Sequence, residues 1–223
     1  MTSVTVLPCG LVADAEHIWT IVVGGGTGQR FGTLKQYEDL GGRRVIDHAR
    51  AAAQSASEGV VVVVPPDDAE REGGVAGGAT RSDSVRAGLA AVPDDATIIC
   101  VHDAARPFAT AALFERAVAA VVAGADGAIP AIAVTDTIKV VADGVVVATP
   151  DRVSLVAVQT PQAFRAGVLR RAHTTADTST DDAALVEAIG GRVVVVEGDT
   201  RNRKITHPDD LAWARRQLET SRP

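Results

Sequence analysis

Ile18-Trp19-Thr20-Ile21-Val22-Val23 runs straight into Gly24-Gly25-Gly26-Thr27-Gly28-Gln29-Arg30, and Lys35 stands five residues further on. The apolar run reads as a strand covered on both faces, and the glycines as a loop leaving its carboxyl end. Residues without a Cβ let the backbone come close to an anion and aim successive N–H groups at it, while Arg30 and Lys35 add full positive charge. A nucleotide polyphosphate suits such a loop; a tight turn that merely needs glycine is the plainer alternative. The spacing excludes two familiar phosphate loops. Counted from Gly24 or Gly26, the last glycine of G-x-G-x-x-G falls on Gln29 or Phe31, and no G-x-x-x-x-G-K can be drawn.

Working outward, further short apolar runs at 60–64, 97–101, 127–132 and 193–196 alternate with helical spacing. Arg44 to Ala56 reads as one helix. Val85, Leu89 and Val92 mark a second. Leu113, Val118 and Val121 mark a third, with Thr110 as N-cap and Gly124 at its end, and a last helix begins at His207-Pro208. This rhythm predicts an α/β layered sheet with helices on both faces, as a single domain over 18–223 behind an extension at 1–17. Thr135 to Pro150 breaks it: two valine-rich stretches flank Asp143-Gly144, a strong hairpin signal. A lone hairpin is marginal in water, so it is expected to be an arm, about 135–152, lying on a partner subunit. The alternative is an antiparallel extension of the main sheet.

Composition narrows the partners. The 223 residues are 46% hydrophobic with a net charge of −6, which argues against a nucleic-acid backbone but not against a small anion met by local cations. No apolar run approaches the ~18 residues needed to span a bilayer. Residues 1–17 carry no Lys or Arg and do not resemble a secretory signal. Two cysteines, Cys9 and Cys100, form no framework or metal spacing; Cys100 reads as a small buried hydrophobe, and a reducing cytoplasm is the expected compartment.

Three further segments carry candidate chemistry. The 97–101 strand ends in His102-Asp103-Ala104-Ala105-Arg106-Pro107, and ligands of open α/β sheets gather at strand carboxyl ends. Asp103 can accept from sugar-like hydroxyls or help hold a metal, and Arg106 can grip phosphate or hold Asp103. A salt-bridged loop is the alternative, and His102 alone reads as structural. Gly77-Gly78-Ala79-Thr80-Arg81-Ser82-Asp83-Ser84 is a second glycine loop opening a helix, where backbone amides, Arg81 and Ser84 can read a base or hold a phosphate. Thr160-Pro161-Gln162 and Thr180-Asp181-Asp182 offer hydroxyls or plain caps, and Lys204 adds a cation that, taken alone, is more simply a solvated lysine. There is no G-x-S-x-G elbow and no H-E-x-x-H, so covalent or zinc hydrolysis has no candidate machinery. Cations, amides and hydroxyls suit phosphoryl or nucleotidyl transfer.

Taken together, seven motifs in order resemble the 2-C-methyl-D-erythritol 4-phosphate cytidylyltransferase family of the non-mevalonate isoprenoid pathway. They are Gly26-Thr27-Gly28-Gln29-Arg30 with Lys35-Gln36-Tyr37, the Gly77–Ser84 loop, Val101 to Pro107, Asp136-Thr137-Ile138-Lys139, Thr160-Pro161-Gln162, Thr180-Asp181 and Lys204-Ile205-Thr206. The resemblance implies a Rossmann-like nucleotidyltransferase sheet, with CTP and a polyol phosphate as substrates. Arg30, Lys35 and Lys204 would neutralise the triphosphate. Gly24, Gly25 and Gly26, with Gly78 and Ser84, would hold ribose and cytosine, and Asp103, Arg106 and Thr180 would meet the methylerythritol. Thr137 and Arg152 would reach the substrate phosphate of a partner in a homodimer that exchanges arms. Magnesium would bind mainly through the CTP phosphates, without a protein metal site. The Gly24-Gly25-Gly26 start is closer to related alditol-phosphate enzymes, so ribitol 5-phosphate is an alternative acceptor, and a silent nucleotide-binding regulator is an alternative of another class.

Overall fold

A computed structural model describes residues 16–26, 31–175, 179 and 181–220. Its strands are β1 (Ile18–Val23), β2 (Gly59–Val64), β3 (Val75–Ala76), β4 (Ile98–Asp103), β5 (Gly127–Ala133), β6 (Val140–Ala142), β7 (Val145–Ala148), β8 (Val156–Val158), β9 (Gln162–Arg165) and β10 (Val193–Glu197). The helices are α1 (Val45–Gln54), α2 (Ala69–Glu72), α3 (Arg81–Ala91), α4 (Ala111–Val122), α5 (Ala166–Thr175), α6 (Asp182–Ala188) and α7 (Pro208–Thr220). The main sheet runs β10-β5-β9-β4-β1-β2-β3, with β8 beside β5. β1 pairs in parallel with both β2 and β4, so the chain leaves β1 to one side and returns on the other. That reversal opens a crevice at the carboxyl ends of β1 and β4, where Val23 and Asp103 are paired in register.

Alternation along the strands builds a core on each face. Ile21, Val63, Ile99 and Val101 pack with Val85 and Leu89 of α3 and Leu169 of α5. Val22, Val62, Val64 and Cys100 pack on the other face against Ile46 of α1 and Phe114 and Val121 of α4. A buried phenylalanine such as Phe114 carries about 3–5 kcal/mol against alanine, so the crevice rests on rigid layers. α7 closes a smaller cluster with Leu40, Val45, Leu211 and Ile205.

The five expected strands and four expected helices are present, with shifted ends: β4 continues through His102 and Asp103, and the first helix is Val45–Gln54. Thr110 caps α4 by position, though its side chain makes no capping bond. The segment after Thr160 is itself a strand, β9, inserted antiparallel between β4 and β5. Residues 16 and 17 belong with the body rather than the extension: Glu16 pairs with Arg165, and His17 N donates to Thr97 Oγ1. Among the described residues, no helix is long and apolar enough to cross a membrane.

Asp143 (φ 49°) and Gly144 (φ 78°) turn β6 into β7. Two successive left-handed residues match the twist of a tight hairpin. Among the described residues, the two strands form a sheet of their own and not an extension of the main one. Their valines face water, with Val145 65% and Val153, just beyond the hairpin, 87% exposed.

Candidate active site

The crevice holds a cavity of about 570 Å³ lined by Gly24–Gly26, Lys35, Gly77–Arg81, Ser84, Asp103 and Lys204. Residues from three distant parts of the chain therefore meet where the strand order reverses. The two glycine loops interlock. A Cβ on Gly78 would lie 2.2 Å from the Asp83 Cβ, which excludes a side chain there without a shift of α3, and one on Gly25 would press on Ser84 Oγ at 3.0 Å. Thr80 and Asp83 form a reciprocal capping box at the start of α3. Ser84 Oγ accepts from Gly78 N at 3.2 Å and donates to Thr80 O at 3.1 Å.

Lys35 sits on a short turn, Lys35–Tyr37, that is pinned from below. The Tyr37 ring lies between the guanidinium groups of Arg44 (5.5 Å) and Arg71 (4.9 Å). Arg44 in turn grips Asp47 and the buried Glu72. The fork holds the turn rather than the ligand.

Asp103 anchors the electrostatics. Its carboxylate meets Lys204 Nζ at 2.6 Å and Arg81 Nε at 3.6 Å. Burial opposes its charge, but Lys204 and Arg81 outweigh burial and hold its pKa well below the usual carboxylate range. Its backbone N donates to Thr160 Oγ1, which also contacts His102 Nδ1 at 3.1 Å. Burial pushes His102 down to about 4, so the ring is neutral at pH 7, and it pushes the Cys100 thiol up to about 12. Neither group is poised for chemistry.

Lys204 reaches Asp103 because its loop is stitched down. Asn202 Nδ2 donates to Thr160 O, Gln159 Nε2 to Asp199 O, and Ile205 N to Ala105 O. Arg106 completes the stitching by donating to Asn202 O at 2.8 Å and Val158 O at 3.2 Å. Three cations stand against one carboxylate among the described lining residues, so the cavity wall carries an excess of positive charge.

The sequence and the fold are shared with known proteins. The chain matches the sequence pattern of IspD, 2-C-methyl-D-erythritol 4-phosphate cytidylyltransferase, over residues 18–220. The chain belongs to the 2-C-methyl-D-erythritol 4-phosphate cytidylyltransferase family. A family member from Syntrophotalea carbinolica is 41% identical over 91% of this chain and 97% of its own length. A bifunctional IspD/IspF enzyme of Oleidesulfovibrio alaskensis is 53% identical over 61% of this chain, and the chain spans only 36% of that relative. The crystal structure of 4-diphosphocytidyl-2C-methyl-D-erythritol synthase from Anaerococcus prevotii superposes with a TM-score of 0.80 at 28% identity, covering 92% of this chain and 99% of that one. That of 2-C-methyl-D-erythritol 4-phosphate cytidylyltransferase from Thermus thermophilus gives 0.78 at 32% identity, covering 89% and 98%.

The family pattern and the geometry together sort the expected site residues. Gly24, Gly25, Gly26, Lys35, Gly78, Ser84, Asp103 and Lys204 line one cavity. Within the cavity wall, Gly24 N donates to Val63 O and Gly78 N to Ser84 Oγ, bonds that fix the two loops against the sheet and against α3. The Arg106 guanidinium donates to two backbone carbonyls, and its charge adds to those that favour the Asp103 carboxylate. Thr137 and Arg152 are exposed at the base of the arm, where Arg152 donates to Thr135 O, and neither is among the residues lining this chain's own cavity. Arg30 and Thr180 lie outside the described residues. Sequence reasoning read Arg81 as a group that could meet a base or phosphate, and missed its pairing with Asp182 and, through it, His173, the groups that tie Arg81 to the rest of the fold. The capping box Thr80-Arg81-Ser82-Asp83 was the available signal, since it fixes Arg81 in the first turn, beside the glycine loop.

Proposed function

We propose that this chain transfers CMP from CTP to 2-C-methyl-D-erythritol 4-phosphate, giving CDP-methylerythritol and pyrophosphate. The observation that carries the reading is the meeting of Lys35, Lys204 and both glycine loops around one cavity in a chain of this family. An acceptor phosphate oxygen attacks the α-phosphorus and forms a new P–O bond. The bond from that phosphorus to the bridging oxygen of the β-phosphate breaks, and pyrophosphate leaves with the electron pair. No general base is needed, because a phosphomonoester is largely dianionic above its second pKa near ~6. The task of the protein is to bring two anions together. Lys35 and Lys204 offset the charge on the triphosphate, Asp103 sets the position of Lys204, and the loops orient the nucleoside.

A magnesium ion fits this cavity as a counter-ion of the triphosphate. Asp103 is the one carboxylate among the described lining residues and already holds Lys204 and Arg81, so the phosphates and water would provide most ligands. Bound there, the ion would neutralise developing charge on the leaving pyrophosphate. A homodimer, in which each arm brings Thr137 and Arg152 to the neighbour's acceptor phosphate, and a reducing cytoplasm complete the proposal. The exposed arm supports the first of these readings, and Cys100, a buried free thiol, supports the second.

The test is pyrophosphate release from CTP, with and without magnesium, using each acceptor in turn. Turnover with methylerythritol phosphate is expected. Turnover confined to ribitol 5-phosphate moves the acceptor assignment, and none with either acceptor points to a silent nucleotide-binding protein.

A further inference from the structure

We propose that Asp182, buried behind the cavity with His173, is a positioning residue that acts through Arg81 on the Asp103–Lys204 pair. The inference rests on the cytidylyl-transfer reading above and assigns a part of that site that touches no ligand. Four contacts form a line from core to cavity. His173 Nε2 lies 3.0 Å from Asp182 Oδ1, and Arg81 Nη1 lies 2.7 Å from Asp182 Oδ2. Arg81 Nε is 3.6 Å from Asp103 Oδ1, and Lys204 Nζ is 2.6 Å from Asp103 Oδ2. Side-chain exposure is 1–2% at Asp182 and His173, 24% at Arg81, 11% at Asp103 and 38% at Lys204, so the line starts in the core and ends at the open cavity.

The line crosses five segments: α5, α6, the first turn of α3, the end of β4 and the loop after β10. A buried ion pair is weak evidence for stability, because desolvation offsets most of the attraction. What this one does is divide Arg81 between two carboxylates. Its closest approach is to Asp182, at 2.7 Å against 3.6 Å to Asp103, so Asp182 holds the larger share of the guanidinium. Neutralising Asp182 leaves Asp103 as the nearest carboxylate for the guanidinium. Arg81 then competes with Lys204 for Asp103, and Lys204 loses its fixed position. Helix α3 itself stays docked, since Ser82 Oγ accepts from Ser179 N and donates to Ser179 O, each at 3.2 Å.

The predicted signature is a split between kinetic constants. Asp182 and His173 are buried away from the cavity, so nucleotide contacts survive, whereas a misplaced Lys204 affects the transferring phosphoryl group. Asp182→Asn, nearly isosteric, is expected to lower kcat about tenfold with the KM for CTP within about twofold of wild type. In an Arg81→Lys background, where one ammonium cannot serve both carboxylates, the same change is expected to lower kcat less than about twofold further. A folded Asp182→Asn enzyme with near-normal kcat, or with a raised KM alone, overturns the proposal, as does a loss that multiplies in full with that of Arg81→Lys. If Asp182→Asn does not fold, His173→Gln, which removes the imidazole beside Asp182 without touching a cavity-lining side chain, decides instead: a lower kcat at unchanged KM for CTP is expected, and normal kcat, or a raised KM with normal kcat, overturns the proposal. A wild type that releases no pyrophosphate overturns the cytidylyl-transfer reading and this inference together. A wild type that turns over beside an unaffected Asp182→Asn overturns only the inference.

Discussion

The cavity and the arm are built from opposite principles. Around the cavity every charged side chain leans on another: Lys204 on Asp103, Arg81 on Asp103 and Asp182, and Arg106 on two carbonyls. In the arm, valine after valine faces water, and among the described residues the two strands pair with each other. The first region is held together by contacts within one chain, while the second exposes apolar surface of the kind that marks an interaction site. Preorganised charge can thus be read from one chain, but the purpose of the arm is visible only through what it lacks.

The sharpest way to test the cavity side is to remove one of its cations. Lys204→Ala and Lys35→Ala should each lower kcat by about 10²- to 10³-fold, more than they raise KM, because a preorganised donor acts most strongly on charge that moves in the transition state. Arginine should not restore full activity at either position, since a planar fork does not replace a point charge. Steady-state pyrophosphate release checks both, and near-normal kcat with a raised KM would reduce that lysine to a binding contact.

The arm side is tested by mixing chains. Arg152→Ala and Lys35→Ala chains, each inactive alone, should regain activity toward half per mixed dimer when subunits exchange. If the arm serves the neighbour, one site in each mixed dimer carries both lesions and the other carries neither. Mixed dimers formed without recovered activity would place Arg152 in its own chain's site, or in none.

The two regions were also unequally legible in sequence. The parallel strands could be found because β-branched runs report burial on both faces, and the hairpin because Asp143-Gly144 has few alternatives to a tight turn. β9 was hidden: Gln162-Ala163-Phe164-Arg165 is short, follows a proline and pairs with strands far away in the chain. Lys204 looked like any surface lysine because its partner, Asp103, lies 101 residues earlier. The carbonyls that Arg106 binds, Asn202 O and Val158 O, were equally hidden, because backbone acceptors leave no mark in sequence. Strand pattern is local information, and charge pairing is not.

A smaller effect probes the wall of the site. His102 has a folded pKa of about 4, well below the ~6.5 of an unfolded histidine. Between those values only the unfolded chain takes up the proton, so stability must fall as pH drops through that window. The slope is at most about 1.4 kcal/mol per pH unit, or roughly 2 kcal/mol between pH 6.5 and 5. Urea unfolding across that range should show this slope in wild type and a shallower one in His102→Gln. Equal slopes would mean that His102 is not held neutral by burial.

The smallest expected effect belongs to the arm, and its smallness is the point. Val→Thr in a packed core puts a hydroxyl where no water reaches, so Val101→Thr, at a fully buried position, should cost at least about 1 kcal/mol. The same change at Val145, Val146 and Val147, whose side chains already face water, should alter the unfolding free energy of the isolated subunit by less than about 0.5 kcal/mol each. Association adds a term that distinguishes the two regions. If the arm docks on a second copy, wild-type unfolding shifts with protein concentration, because only the folded dimer gains from mass action. The triple arm variant should lose that concentration dependence while keeping the dilute-limit stability of wild type. The Val101→Thr protein should do the reverse, unfolding earlier at every concentration with the dependence intact. Concentration-independent unfolding of wild type would remove the partner from the arm and leave its valines exposed in solution.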